Sequence, residues 1–308
     1  MRKTDNIKIY DVAIVGAGPA GLTAALYAVR DDKKVILFEK NFEGGQLLNT
    51  HSIMNIPGFS EISGGDFAQK IMEQITSFAE PKQLLTIVYD GVENIVKDNN
   101  FTITTEDGSE YLSKTVICAS GSTYRILDVP GEKELIGNGI SFCSTCDAPF
   151  YRGKKVVIIG GGNSALTEAI ELSKFVKEII ICQNLPFLTA TKDLQEKIKT
   201  LSKVKTIFNR TVSSFERNKN GILIRLSGAE NGVIEADGVF IAIGLAPDNA
   251  YAKNIATIDN GGYIEDTIEG AFAAGDCKRN KANQAVIACG DGATAAICAC
   301  RYIEQMKS

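Results

Sequence analysis

The pattern that most narrows the folds open to this 308-residue chain is a glycine turn that occurs twice. Gly16-Ala-Gly18-Pro19-Ala-Gly21 follows an apolar strand, Asp11–Val15, and leads into a helical stretch, Gly21–Asp31, and a second strand, Lys34–Phe38. Gly160-Gly-Gly162-Asn163-Ser-Ala165 stands in the same context, after the strand Lys155–Ile159 and before a helix expected over Asn163–Phe175 and a strand over Glu178–Cys182. In such a strand-to-helix turn the glycines give a tight bend, let a pyrophosphate reach the helix N-terminus, and let the helix lie close to the strand. The copies start about 144 residues apart. The chain is therefore expected to be α/β, with two Rossmann-like, three-layer nucleotide-binding domains.

Each unit is followed by β-type segments that would complete its domain. Phe101–Thr105 and Tyr111–Cys118 read as a hairpin across Glu106-Asp107-Gly108, and Gly221–Leu226 and Gly238–Ile243 follow the second unit. Ser120–Gly131 and Gly244–Asn249 carry the Gly, Pro and Ser of connectors. The expected division is a discontinuous first domain, residues 1–121 and 243–308, with residues 122–242 inserted into it.

The two turns differ in what surrounds them. Glu39 ends the strand after the first turn, 18 residues beyond Gly21, where a carboxylate accepts hydrogen bonds from an adenosine ribose. The strand after the second turn ends in Cys182-Gln183-Asn184-Leu185, with neither a carboxylate for a ribose 2′-hydroxyl nor an arginine for a 2′-phosphate. Near the C-terminus, Gly275-Asp276 follows an apolar run, and Gln284 precedes a helix through Gly290-Asp-Gly292. An aspartate so placed can hold a ribityl hydroxyl while the helix N-terminus faces a flavin ring; a simply capped helix explains the same residues.

The remaining chemistry lies in cysteine. Eight cysteines with one C-x-x-C pair, Cys143-Ser-Thr-Cys146, fit a reducing cytoplasm and a redox motif better than a secreted disulfide framework. Asp147 follows directly and can supply or accept the proton of thiolate exchange. Cys118, Cys289, Cys298 and Cys300 read as small buried residues. The single histidine, His51, has no motif around it, and with no second C-x-x-C no metal site is expected. A net charge of −4 offers no footprint for nucleic acid or an anionic membrane. The charged N-terminus lacks a signal-peptide core, and the uncharged Val12–Val29 is broken by Gly16, Gly18, Pro19 and Gly21, so a membrane span is not expected and the protein is placed in the cytoplasm.

Taken together the motifs resemble the low-molecular-weight thioredoxin reductases, FAD-dependent pyridine nucleotide-disulfide oxidoreductases. The resemblance runs nearly end to end: Gly16–Gly21, Gly44-Gly-Gln-Leu47, Asn55-Ile-Pro-Gly58, Ala119-Ser-Gly121, Val129-Pro-Gly-Glu132, Cys143–Tyr151, Gly160–Ala165, Gly244-Leu-Ala-Pro247 and Ala274-Gly-Asp276. It implies FAD as cofactor, thioredoxin as partner and a homodimer. It further implies that Cys146 faces the flavin, Cys143 attacks the partner disulfide, Asp147 acts as acid/base, and the connectors serve as hinges. The residues it assigns to FAD are Gly16, Gly18, Pro19, Gly21, Glu39, Lys40, Gly45, Gln46, Asn55, Ala119, Gly121, Asp276, Gln284 and Ala285. Gly160, Gly162, Asn163 and Ala165 are left as a second nucleotide site without a ribose carboxylate or a 2′-phosphate arginine behind it.

One departure bears on the electron donor. Members that use NADPH carry His-Arg-Arg-x-x-x-Arg after the second nucleotide strand; here Gln183-Asn-Leu-Pro-Phe-Leu-Thr189 has no basic residue, and the Arg-Gln pair near the flavin becomes Asn283-Gln284. Losing two or three charge-assisted bonds, each roughly 1.5–3 kcal/mol, costs something like 10²- to 10⁶-fold in affinity for a 2′-phosphate. The chain also resembles enzymes of this family that take electrons from reduced ferredoxin at the flavin, a reading the missing arginines fit, so reduced ferredoxin is expected ahead of NADPH. Lys278-Arg-Asn-Lys281 could meet an acidic ferredoxin, although a solvated basic turn explains that tetrad better. The alternative donor reading is an ordinary NAD(P)H-dependent enzyme. A ferredoxin–NADP reductase or a non-catalytic flavin sensor would have no use for Cys143 and Cys146.

Overall fold

The computed structural model describes residues 8–50, 52–228, 231–280 and 282–306. His51 and Lys281 lie outside the described residues. The chain forms two compact units, one running up to Thr123 and resuming at Ala246, the other Tyr124–Leu245. These divisions fall two or three residues beyond the expected 121/122 and 242/243.

The first unit opens with β1 (Ile9–Val15), α1 (Pro19–Arg30), β2 (Val35–Phe38), α2 (Gly64–Ala79), β3 (Leu85–Val88), β4 (Val92–Lys97), β5 (Phe101–Thr105) and β6 (Glu110–Cys118). Helix α1 starts at Pro19, two residues earlier than expected, because proline at the first helical position gives up no needed N–H. After β7 (Ser122–Tyr124), the second unit carries α3 (Glu132–Leu135), β8 (Ile140–Ser141), α4 (Ser144–Asp147), β9 (Lys155–Ile159), α5 (Asn163–Leu172), β10 (Glu178–Cys182), α6 (Lys192–Lys199), β11 (Val204–Ile207), β12 (Arg210–Arg217), β13 (Ile222–Gly228), β14 (Gly232–Ala236) and β15 (Gly238–Ile241). The chain returns through β16 (Leu245–Pro247), β17 (Ala256–Ile258), β18 (Ile264–Thr267) and β19 (Ala271–Ala273) to α7 (Ala285–Gln305). Helix α5 stops at Leu172, short of the expected Phe175: the Ser173 hydroxyl donates back to Ile170 O, and the Phe175 carbonyl instead accepts from Gly153 N.

Strands of the first unit run in the order β3-β2-β1-β6-β5-β4, and β19 joins β6. One edge of β6 is divided between two neighbours: Glu110–Ser113 pairs antiparallel with β5, and Val116–Cys118 pairs parallel with β19. That division brings the Gly275-Asp276 segment to the C-terminal ends of β1 and β6, where ligands sit in open parallel sheets. Alternation sets the layers. Val12, Ile14, Val35 and Leu37 face α1, α2 and α7, while Ala13, Val15, Ile36 and Phe38 face Tyr251, Ile255 and the β4–β5 hairpin.

The second unit repeats the scheme. Its parallel sheet runs β11-β10-β9-β15-β8, with Val156 and Ile158 against α5 and α6, and Val157 and Ile159 against the antiparallel sheet β12-β13-β14. Each unit is thus a three-layer Rossmann-like domain, the second inserted into the first.

Helix α7 is, among the described residues, the one helix long and apolar enough to cross a membrane by length and composition. Its Ala288, Gly292, Ala295, Ala296, Ala299 and Ile303 form a buried small-residue stripe in the core beside α1, which accounts for that composition. The same stripe corrects the reading of three cysteines as buried: Cys300 is, but Cys298 lies off the stripe and is exposed, and Cys289 is half-buried.

Candidate active site

The first glycine turn is built by backbone approach. Gly16 has φ +100°, and a Cβ on it would stand 2.4 Å from the Ala119 carbonyl oxygen. In front of α1 the ground is open: a Cβ on Gly18 meets nothing within 4 Å. Glu39 leaves the end of β2 and folds back to the turn, accepting the Ala17 N–H at 2.9 Å on one oxygen and the Asn41 N–H at 2.9 Å on the other. Each carboxylate oxygen keeps a free lone pair, which is what two ribose hydroxyls require. Lys40 turns away to an exposed ion pair with Glu106 at 2.7 Å.

The rest of the first constellation gathers around this turn. Gly44 N donates to Ala17 O at 2.8 Å, which lays Gly45 against Gly18; Gln46 donates to the Ser122 carbonyl. Asn55 donates to Gln284 Oε1 at 2.9 Å across 229 residues of sequence, just before α7 begins at Ala285. Gly121 takes φ +71° after Ala119 and Ser120. Asp276 is half-buried, and burial, reinforced by the nearby Asp291, raises its carboxyl to about 6. Open space before a helix N-terminus, a carboxylate with spare lone pairs, and an acid at the strand ends fit the pyrophosphate, ribose and ribityl parts of FAD.

In the second unit Cys143 and Cys146 form a disulfide with Cα atoms 5.4 Å apart. Cys143 caps α4, its sulfur accepting Cys146 N–H at 3.2 Å, and its own N–H donates to Ser141 Oγ at 3.1 Å. Both cysteines and Asp147 are half-buried, so they are in reach of a reagent. Asp147 lies close to Tyr151, whose phenol is pushed up to about 12 by burial first and by that carboxylate second. By contrast burial pushes the Cys118 and Cys277 thiols up to about 12, which leaves them protonated and inert.

The second glycine turn keeps the geometry of the first: Gly160 has φ +124°, with the Ala242 carbonyl 2.4 Å from a Cβ on it. Asn163 and Ala165 open α5 behind it. What covers it is different. Thr189 N and Ala190 N both donate to Gly161 O, and Thr191 N donates to Asn163 Oδ1 at 2.8 Å. Gln183 is buried against Gly161, its Nε2 donating to Phe187 O at 3.1 Å and its Oε1 accepting Asn184 N–H at 3.2 Å. The basic turn is mostly satisfied within the chain, Lys278 pairing with Asp291 at 3.1 Å and Arg279 with Asp259, in keeping with the solvated turn expected ahead of a partner surface.

The sequence names Asp291 and Glu132 only as members of motifs, without a role, and does not single out Glu168. Asp291 accepts Gly275 N–H and so fixes the Asp276 turn; nothing marks it locally except its place in the first turns of α7. Fully buried Glu132 accepts the N–H groups of Leu127, Asp128 and Val129, fastening the start of the inserted unit. Glu168 on α5 has a buried oxygen with no hydrogen-bond partner among the described residues, and burial raises its carboxyl to about 8.

Residues 10–292 match the family model for pyridine nucleotide-disulphide oxidoreductases. A thioredoxin reductase of Bacillus subtilis is 35% identical over 310 residues, covering 97% of this chain and 96% of that protein. One from Peptoclostridium acidaminophilum is 35% identical over 312 residues, covering 96% and 98%. The crystal structure of thioredoxin reductase from Streptococcus pyogenes superposes with a TM-score of 0.89 at 35% identity, over 96% of this chain and 99% of that one. The chain belongs to the pyridine nucleotide-disulphide oxidoreductase family, FAD-binding oxidoreductases, and within it to the low-molecular-weight thioredoxin reductases.

Proposed function

We propose that this protein reduces the disulfide of thioredoxin through FAD and the Cys143–Cys146 pair, and that its electrons come from reduced ferredoxin. The disulfide of Cys143 and Cys146, half-exposed at the start of α4 with Asp147 following, carries the reading.

Bound FAD would supply an electron pair to that disulfide; Gly16, Gly18, Pro19 and Gly21 would hold its pyrophosphate, Glu39 its ribose and Asp276 its ribityl chain. The remaining steps belong to the chain. Taking two electrons and two protons, the S–S bond breaks to a dithiol, and Asp147 carries a proton to or from the sulfurs. Cys143, as thiolate, attacks one sulfur of the thioredoxin disulfide, and the other sulfur leaves with a proton. Cys146 then attacks Cys143 in the mixed disulfide, the thioredoxin dithiol is released, and the starting pair is restored. The same reading makes the protein a cytoplasmic homodimer.

The donor assignment rests on chemistry around the second turn. Residues 183–189 hold no cation, and both ends of the Gln183 amide are committed to Phe187 and Asn184. A 2′-phosphate would lose its water there without replacement. An ordinary NAD(P)H-dependent enzyme is the second reading. The plain name of the relatives and the preserved Gly160–Ala165 turn favour it. Stopped-flow reduction of the flavin by ferredoxin, NADH and NADPH, each followed by thioredoxin turnover, separates the two.

A further inference from the structure

Phe142, the residue before Cys143, is stacked on Tyr124, the first residue of the inserted unit: the ring centroids are 4.8 Å apart and the planes lie 16° from parallel. Near-parallel rings at that separation are offset, an arrangement that aromatic pairs prefer. Phe142 also packs against the core cluster that holds Ile140, Val157 and Val239. The backbone on either side of it is tied down. Ser141 ends β8, which pairs with β15, and its hydroxyl accepts the Cys143 N–H at 3.1 Å; the Cys143 carbonyl accepts the Asp147 N–H at 3.1 Å. Phe142 is thus the link between a paired strand and the sulfur that caps α4, and a ring held at this position limits how Cys143 can turn. On the other side of the stack, the connector after Tyr124 is fastened by its backbone: Arg125 N–H donates to Gly244 O at 3.0 Å, and the N–H groups of Leu127, Asp128 and Val129 go to Glu132. A half-buried ring anchored beside so fixed a segment is a firm surface for Phe142 to lie on.

We propose that Tyr124 and Phe142 are positioning residues for the Cys143–Cys146 pair: their stack holds the link into Cys143 so that, when the disulfide is open, the Cys143 sulfur stays where Cys146 can close on it. This rests on the reading of that pair as the redox centre. An S–S bond keeps two sulfurs together by itself. A dithiol does not, and its closure is more favourable the less freedom the two sulfurs have left to lose. The stack therefore acts on the dithiol: without it the open pair explores more positions, the disulfide becomes less favourable, and the midpoint potential of the pair rises.

The test uses holoenzyme in glutathione redox buffers, with the state of the pair trapped by acid and alkylation and read from the mass of the peptide that carries both cysteines. In that equilibrium two glutathione thiols give two electrons and two protons to the S–S bond, which opens to the dithiol, and they leave joined as glutathione disulfide. Tyr124→Leu and Phe142→Leu should each lower the constant for closing the disulfide roughly 2- to 12-fold, the range that one aromatic pair carries, which is an upward shift of about 9–32 mV at 29.6 mV per tenfold. The double variant shifts no further than either single one, because the same contact is lost, and Tyr124→Phe, which keeps the stack, holds the parent midpoint. Unchanged midpoints in both single variants, or shifts that add in the double, overturn the proposal; if Cys143→Ser has meanwhile lost thioredoxin turnover, the redox reading of the pair stands without it. Turnover retained in Cys143→Ser removes that reading and the proposal with it. Should Phe142→Leu fail to fold, the contrast between Tyr124→Leu and Tyr124→Phe decides: equal midpoints in the two overturn the stack.

Discussion

Gln183 lies directly against Gly161: a Cβ on that glycine would come within 2.6 Å of the Gln183 amide carbon. The amide is closed on its own segment, so the end of β10 offers a neutral, self-satisfied surface where a dinucleotide would need its adenosine recognised. Flavin reduction by NADPH is therefore expected to be slow and unsaturated below millimolar concentration, with reduced ferredoxin reacting quickly. Fast, saturable reduction at micromolar NADPH with ferredoxin inert would restore the nicotinamide enzyme.

Replacing Cys143 or Cys146 by Ser should cut thioredoxin reduction by roughly 10³-fold or more, because neither sulfur can complete the exchange alone. Flavin content should not change, since the pair belongs to the inserted unit and the FAD turn to the other. Near-normal turnover in both variants would remove the pair from the reaction.

Gly16→Ala is expected to cost about 2–4 kcal/mol, combining an unfavourable positive φ with a backbone clash that no side-chain movement relieves. The clash is with the Ala119 carbonyl, which is part of the same sheet end, so the turn itself must shift. The variant should be purified with little flavin and a lowered melting temperature. A yellow, fully stable Gly16→Ala protein would mean the turn tolerates the displacement and does not hold the pyrophosphate closely.

How much of this was legible in sequence follows from where each signal lives. The glycine turns, Glu39 and the C-x-x-C pair are set by neighbours a few residues apart, so their chemistry shows in one dimension. The bond between Asn55 and Gln284 spans 229 residues, so no local pattern announces it. Cys298 was misjudged because an alanine-rich helix looks uniformly buried until its packing stripe is known. The ion pairs of the basic turn at Lys278 and Arg279 are not visible in sequence because Asp291 and Asp259 come from other elements.

Glu168 gives the clearest pH dependence. Burial raises its folded pKa from 4.5 to about 8, with no charged neighbour contributing. Below pH 4.5 the group is protonated whether the chain is folded or not, and it costs nothing through ionisation. As pH rises toward 8 the unfolded chain gives up this proton and gains hydration, while the folded chain keeps it; stability falls throughout that window and levels off above it. At about 1.4 kcal/mol per unit, the full loss is of the order of 4–5 kcal/mol. Glu168→Gln cannot ionise, so it should denature at nearly the same urea concentration as the parent at pH 5 and be more resistant at pH 9. The comparison between variants cancels every other titrating group common to both. An unchanged difference between pH 5 and pH 9 would show that the carboxyl ionises as freely inside the fold as in water.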